Sequence, residues 1–228
     1  FARDELIGVE VSELSGLPRE EALRPDDGGR LVLEGGGIET NGAGALMVTE
    51  EWLLSDVQQR NPGLSQGDYE QAFAHYLGAT RVIWLGEGCV GDDTHGHVDD
   101  IARFTNERTI VAAVEDDPSD ANHERSMDNL HRLELAARTW PGGLRVVKLP
   151  FPRPVTMQGE RLPASYANFY IANGGVPVPT FNDRSDRTPP NTIPALFPAS
   201  EVVEIDHGAT VWWTRHLAWS PHQPPAPR

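Results

Sequence analysis

Ten consecutive residues, Gly91-Asp92-Asp93-Thr94-His95-Gly96-His97-Val98-Asp99-Asp100, hold two histidines and four aspartates. With Gly96 to Asp100 extended, His97 and Asp99 project to the same face, because side chains alternate along a strand. A carboxylate beside an imidazole favours the imidazolium form, which suits proton delivery to a leaving amine. Asp99 has an alternative use, which is to hold a bound cation. A second candidate is Glu34 in Glu34-Gly35-Gly36-Gly37-Ile38. It ends a predicted strand, where its carboxylate projects past the sheet edge, and the glycines let a ligand or another backbone come close. The run lacks the lysine and the spacing of a phosphate-binding loop.

The elements that must position these residues repeat. Four short β-rich runs begin at Arg30, Arg81, Arg145 and Glu201, each with β-branched or large apolar residues. The first three are followed by a turn or hairpin, such as Asn173-Gly174-Gly175 before Val176 to Thr180. Pro177 and Pro179 place that last strand at an edge or rim. A helix is predicted from the Ser65 cap to the Gly78 stop, with Tyr69, Ala72, Phe73 and Tyr76 at helical spacing. A second runs over 119–139 with Met127, Leu130, Leu133 and Leu135 on or near one face. A third spans 2–15 with Leu6, Val9 and Leu14 inward, and a fourth over 184–198 is broken by Pro189, Pro190 and Pro194. The expectation is an α/β fold of repeated strand–hairpin–helix units, with an incomplete last unit starting at Glu201.

Composition narrows the partners. Lysine plus arginine number 19 against 34 aspartate plus glutamate, a formal charge of −15, which would repel nucleic-acid phosphates and could attract a small cation. The sequence has no apolar run of membrane-spanning length and no signal-peptide core behind its charged first residues. The single cysteine, Cys89, excludes an internal disulfide and fits a reducing compartment, so the cytoplasm is expected. Cys89 reads as a small loop residue rather than a nucleophile.

Three segments occur in order: Glu34 to Gly42 (EGGGIETNG), Gly91 to Asp99 (GDDTHGHVD) and Ser165 to Gly174 (SYANFYIANG). Together they resemble the agmatine deiminase and bacterial-type peptidyl-arginine deiminase family of the pentein superfamily, a likeness running to about Asp206. The resemblance implies a pseudo-fivefold α/β propeller of ββαβ units around a central funnel. It implies a small cationic guanidine substrate and no cofactor or metal. It also implies attack of a cysteine thiolate on the guanidinium carbon, loss of ammonia, and hydrolysis of the thiouronium to a ureido product. Agmatine would give N-carbamoylputrescine, and arginine or peptidyl-arginine would give citrulline. By motif, His97 resembles the general acid/base, while Asp99 and Glu34 resemble the carboxylates that bind the guanidinium.

Two departures accompany the likeness. The family's first unit carries an Arg-Asp-x-Gly-Pro segment that Arg3-Asp4-Glu5-Leu6 does not match, so that unit is expected to be missing. The family ends in Ile-His-Cys, and if His216 matches that histidine, Leu217 stands where the nucleophile belongs. Residues 1–206 then form a partial propeller and 207–228 an atypical tail rich in Trp and Pro, in a chain expected to be catalytically impaired. Apolar surface exposed by a missing unit predicts a homo-oligomer. One alternative is a non-catalytic guanidinium-binding or scaffold protein. Another is a zinc-dependent hydrolase using His95, His97 and Asp99, although that pattern wants a histidine where Asp100 stands.

Overall fold

The computed structural model describes residues 4–187 and 189–206. Helix α1 (Asp4–Ser15) comes first, and its apolar residues do not turn inward as expected. Leu6, Val9 and Leu14 are all exposed, Leu14 by 88%. Leu6, Ile7, Val9, Val11 and Leu14 are spread over more than half the circumference of a helix that advances about 100° per residue, so they form no stripe to bury.

The run expected to open the first unit, Arg30 to Leu33, is not a strand. It makes one bridge, Arg30 to Leu23. The backbone of Val32 is instead satisfied by the side chain of Asn61, which accepts from its N–H at 2.8 Å and donates to its carbonyl at 2.7 Å.

Three units then follow on one plan. In the first, β1 (Glu39–Thr40) pairs antiparallel with β2 (Ala45–Thr49). Short α2 (Glu50–Leu54) and α3 (Gln66–Leu77) lead to β3 (Arg81–Leu85), which pairs parallel with β2. In the second, β4 (Ala102–Asn106) pairs antiparallel with β5 (Thr109–Val114), and α4 (His123–Arg138) crosses to β6 (Arg145–Pro150), parallel to β5. A small hairpin, β7 (Thr156–Met157) and β8 (Glu160–Arg161), separates this from the third unit. There, β9 (Gly175–Thr180), α5 (Pro189–Leu196) and β10 (Glu201–Asp206) form the parallel crossover. The antiparallel neighbour of β9 is reduced to an Ala172–Gly175 bridge and a bond from Tyr170 N to Pro177 O.

The phase of the repeat therefore differs from the expectation. The strands beginning at Arg81, Arg145 and Glu201 close their units rather than open them, because each lies parallel beside the middle strand that its helix has just crossed. Glu201 completes the third unit and does not begin another.

Middle strands alternate between two cores. In β2, Ala45 and Met47 join a cluster with Ala102, Ile110, Ala112 and Leu133 of the second unit. Leu46 and Val48 face the other way onto Trp52, Tyr69, Ala72 and Phe73. In β5, Ile110 and Ala112 share the first of these cores, whereas Val111 packs with Leu149, Val176 and Val178. Burial on both faces explains why β2 and β5 read as continuous apolar runs. Among the described residues no helix is long and apolar enough to cross a membrane.

Candidate functional site

The glycine run that follows Glu34 folds as one 3₁₀ turn, Gly35–Gly37, with Glu34 extended just before it. The glycines are needed for space rather than for a left-handed backbone. A Cβ on Gly36 would lie 2.6 Å from His97 Nδ1 and 2.9 Å from Asp99 Oδ2, and a Cβ on Gly37 would lie 2.6 Å from the Trp52 ring. Only a bare backbone can pass this close.

The loop carrying His97 is organised by Asp92. Its Oδ2 accepts from the N–H groups of Gly96 and His97, each at 2.9 Å, and its Oδ1 accepts from Thr94 N at 2.8 Å. Burial works against the Asp92 charge, but the bond from the Thr94 hydroxyl, with those from the His97 and Thr94 N–H groups, outweighs it and holds the carboxyl below its ordinary range. Gly96 has φ +98°, and Thr49 Oγ1 donates to its carbonyl at 2.5 Å. Gly96 to Asp100 is not extended as expected, because Val98–Asp100 forms a 3₁₀ turn. His97 and Asp99 nevertheless both come up against Gly36, His97 at 6% exposure and Asp99 fully buried.

Glu34 meets them from the other side. Its Oε2 lies 2.6 Å from His97 Nε2. Burial raises the Glu34 carboxyl, but hydrogen bonds from His97 and from Arg60 overcome this and hold it at about 2. The carboxylate is thus ionised near neutrality and accepts a proton-bearing Nε2. The edge of the Trp52 ring walls the imidazole at 5.7 Å between ring centroids. A buried imidazole joined to a fixed carboxylate, with a second carboxylate buried alongside, is equipped for proton transfer next to a bound cation.

The Porphyromonas-type peptidyl-arginine deiminase family model matches residues 1–217. The chain belongs to that family. The agmatine deiminase of Pseudomonas aeruginosa is 33% identical over 246 residues, covering 100% of this chain and 65% of that protein. The structure of the Enterococcus faecalis agmatine deiminase superposes with a TM-score of 0.79 at 29% identity, over 91% of this chain and 60% of that one. A cysteine-to-serine variant of the Campylobacter jejuni agmatine deiminase, solved with substrate bound, gives 0.76 at 25% identity, over 89% and 57%. The chain spans 50% to 65% of the length of the curated relatives it matches.

Within this deiminase-family chain, Arg60 was not legible as a site residue. It lies in the connection between α2 and α3, and its Nε and Nη2 donate to the two Glu34 oxygens at 3.0 and 3.1 Å. Nη2 also donates to Thr94 O at 2.6 Å, tying the two site loops together. Gln58-Gln59-Arg60-Asn61-Pro62 carries no spacing that would single it out. The third motif joins through Asn168, whose Nδ2 donates to Asp100 Oδ1 at 2.9 Å.

The remaining candidates lie elsewhere. His95 turns to Ser55 Oγ at 3.0 Å and to Glu51 at 3.8 Å, whereas His97 turns to Glu34. Among the described residues no three acidic, histidine or cysteine side chains are grouped to hold a metal ion. Cys89 is buried in the core shared by the first two units, and burial, with Asp100 and Asp92 nearby, pushes its thiol well above the ordinary value. Such a thiol is a poor nucleophile. Leu217, His216 and the 207–228 tail lie outside the described residues.

Proposed function

We propose that this chain binds a small cationic guanidine compound, of which agmatine is the first candidate, at a guanidine-deiminase-type site. Asp99 receives the guanidinium, His97 is the general acid/base, and Glu34 orients and charges His97. The observation that carries this reading is the 2.6 Å contact between Glu34 and His97, with buried Asp99 beside them under Gly36. Glu34 also remains a candidate for guanidinium contact, since a carboxylate accepts at about four sites and three bonds from Arg60 and His97 leave Oε1 room for another donor.

In the corresponding chemistry, a thiolate adds to the guanidinium carbon and a proton from the imidazole goes to the departing amine, releasing ammonia. Water then adds to the thiouronium carbon, the sulfur leaves, and a ureido product such as N-carbamoylputrescine remains. An imidazole held by a carboxylate suits both proton transfers, first as acid and then as base. Two strand–strand–helix–strand units, and a third whose first strand is reduced to a bridge, fit a fivefold propeller whose funnel holds this site, in a soluble cytoplasmic protein that self-associates.

In this reading Leu217 matches the nucleophile position, so the chain binds its ligand without converting it. The C. jejuni variant with its cysteine replaced, solved with substrate bound, supports the separation of binding from turnover. The test is calorimetry with agmatine, arginine and an arginyl peptide, together with an assay for ureido product. Binding by the unmodified chain, lost in Asp99→Asn and unaccompanied by product, is the expected result. Absence of binding to all three ligands sinks the guanidine assignment, and turnover abolished by thiol alkylation sinks the non-catalytic one.

A further inference from the structure

Arg60 is a guanidinium already held inside a site assigned to guanidinium chemistry. Its planar fork meets both oxygens of Glu34, a geometry that fixes the carboxylate in direction as well as in charge. Its Nη1 and Nη2 are further anchored to the carbonyls of Gln58 and Thr94, at 3.0 and 2.6 Å. With its side chain 12% exposed, Arg60 is a built part of the site and not a surface residue passing by.

The charges around His97 explain what such a group is for. Glu34 bonds its Nε2, Asp99 meets the same Gly36 backbone as its Nδ1, and Asp92 bonds its backbone N–H. These three carboxylates come from the glycine turn and from the histidine's own loop. Facing them, from the connection between α2 and α3, is the guanidinium of Arg60. A neighbouring carboxylate favours the charged form of an imidazole, and an imidazole that keeps its proton too firmly returns it poorly. A cation on the far side of Glu34 offsets part of that field while leaving the Glu34–His97 bond in place.

We propose that Arg60 is a positioning residue that sets the proton affinity of His97 through Glu34. The proposal rests on the assignment of His97 as the proton-transfer group, and it assigns Arg60 no contact with substrate. A purely structural alternative, in which Arg60 only ties the loops together, predicts lower stability on substitution with no change in the His97 titration of the molecules that still fold.

The test follows the imidazole nitrogen resonances of the ¹⁵N-labelled full chain across pH, with the His97→Gln spectrum as the assignment. In Arg60→Met the His97 midpoint is expected to rise by about one unit or more, the range typical of an uncompensated neighbouring charge. In Arg60→Lys, which keeps the charge, it should stay within about half a unit of the unsubstituted chain, a smaller effect than loss of a charge 4–6 Å away. In Glu34→Gln it should fall. Arg60→Gln retains a side-chain donor for Glu34 and Thr94 without the charge, and is the variant to read if Arg60→Met does not fold. An unmoved or lowered midpoint in whichever neutral variant folds overturns the proposal, as does a lysine variant that shifts as far as the neutral one. Agmatine calorimetry on the same samples keeps the two readings apart. An unsubstituted chain that fails to bind removes the guanidine assignment while the titration still answers for Arg60. Intact binding with an unmoved His97 removes only the role of Arg60.

Discussion

Gly36 and Gly37 leave the site almost no clearance, and this makes the smallest substitution the most informative. A methyl at Gly36 would press on His97 Nδ1 and on both oxygens of Asp99, side chains that are themselves buried. Neither can swing into solvent, so the turn must shift and the Glu34–His97 contact with it. Gly36→Ala is therefore expected to weaken agmatine binding at least tenfold by calorimetry, while circular dichroism still reports the native fold. Glu34 supports a second prediction, with a defined sign. Its folded value of about 2 lies below its ordinary 4.5, so its ionisation stabilises the fold fully above about pH 4.5. That contribution drains away as pH falls toward 2. The gap in urea midpoint between the unsubstituted chain and Glu34→Gln should narrow as pH falls from 4.5 to 2, where Glu34 takes up its proton. A gap that widens with acid would contradict the depressed carboxyl. Glu34, His97 and Asp99 stood out in the sequence because glycines and ionisable groups cluster around them. Arg60 did not, because its partners Glu34 and Thr94 lie 26 and 34 residues away and only the folded loops bring them together.

At the scale of elements, α3 shows what local chemistry can specify. Ser65 Oγ accepts from Asp68 N, and Asp68 Oδ2 accepts in return from the Ser65 N–H at 2.8 Å, a reciprocal cap. Gly78 ends the helix in the left-handed region at φ +66°. Start and stop were readable because both are written in adjacent residues. Ser65→Ala is expected to cost about 1 kcal/mol in urea denaturation, the usual worth of an N-cap hydroxyl, without altering ligand binding. Tertiary context decided the elements that were less legible. In α4 the inward face is Ser126, Asn129, Leu130 and Leu133, whereas Met127 and Leu135 are 40% and 45% exposed. Two polar residues take the buried positions because they bond the preceding loops: Asn129 accepts from Gly86 N at 2.7 Å and Ser126 from Glu115 N at 3.0 Å. A hydrophobic periodicity cannot foresee a buried asparagine that caps another segment. The same holds for Arg30 to Leu33, which has strand composition but takes its backbone partner from the Asn61 side chain.

Across the whole molecule, one buried ion pair joins all three units. Arg103 on β4 donates from Nε to Glu39 Oε2 of β1 at 2.8 Å and from Nη1 to the carbonyl of Phe169, ahead of β9, at 2.5 Å. Glu39 Oε1 accepts in turn from Phe104 N at 2.8 Å, and the guanidinium lies over the Phe169 ring at 5.1 Å. Both residues are fully buried, so neither charge has water to fall back on. The sequence marked the units as repeats but gave no sign of this link, since its two charges are 64 residues apart. Removing one partner strands the other: Arg103→Met is expected to cost about 3–5 kcal/mol, the usual penalty for an uncompensated buried charge. Replacing both, as Glu39→Leu with Arg103→Met, removes the stranded carboxylate and should recover part of that loss, though the Phe104 N–H then loses its acceptor. Urea denaturation of the single and double variants measures the coupling directly. A double variant no more stable than Arg103→Met would mean that the pair is not the unit of stability. A recovery would show that the charges cost more to separate than to omit.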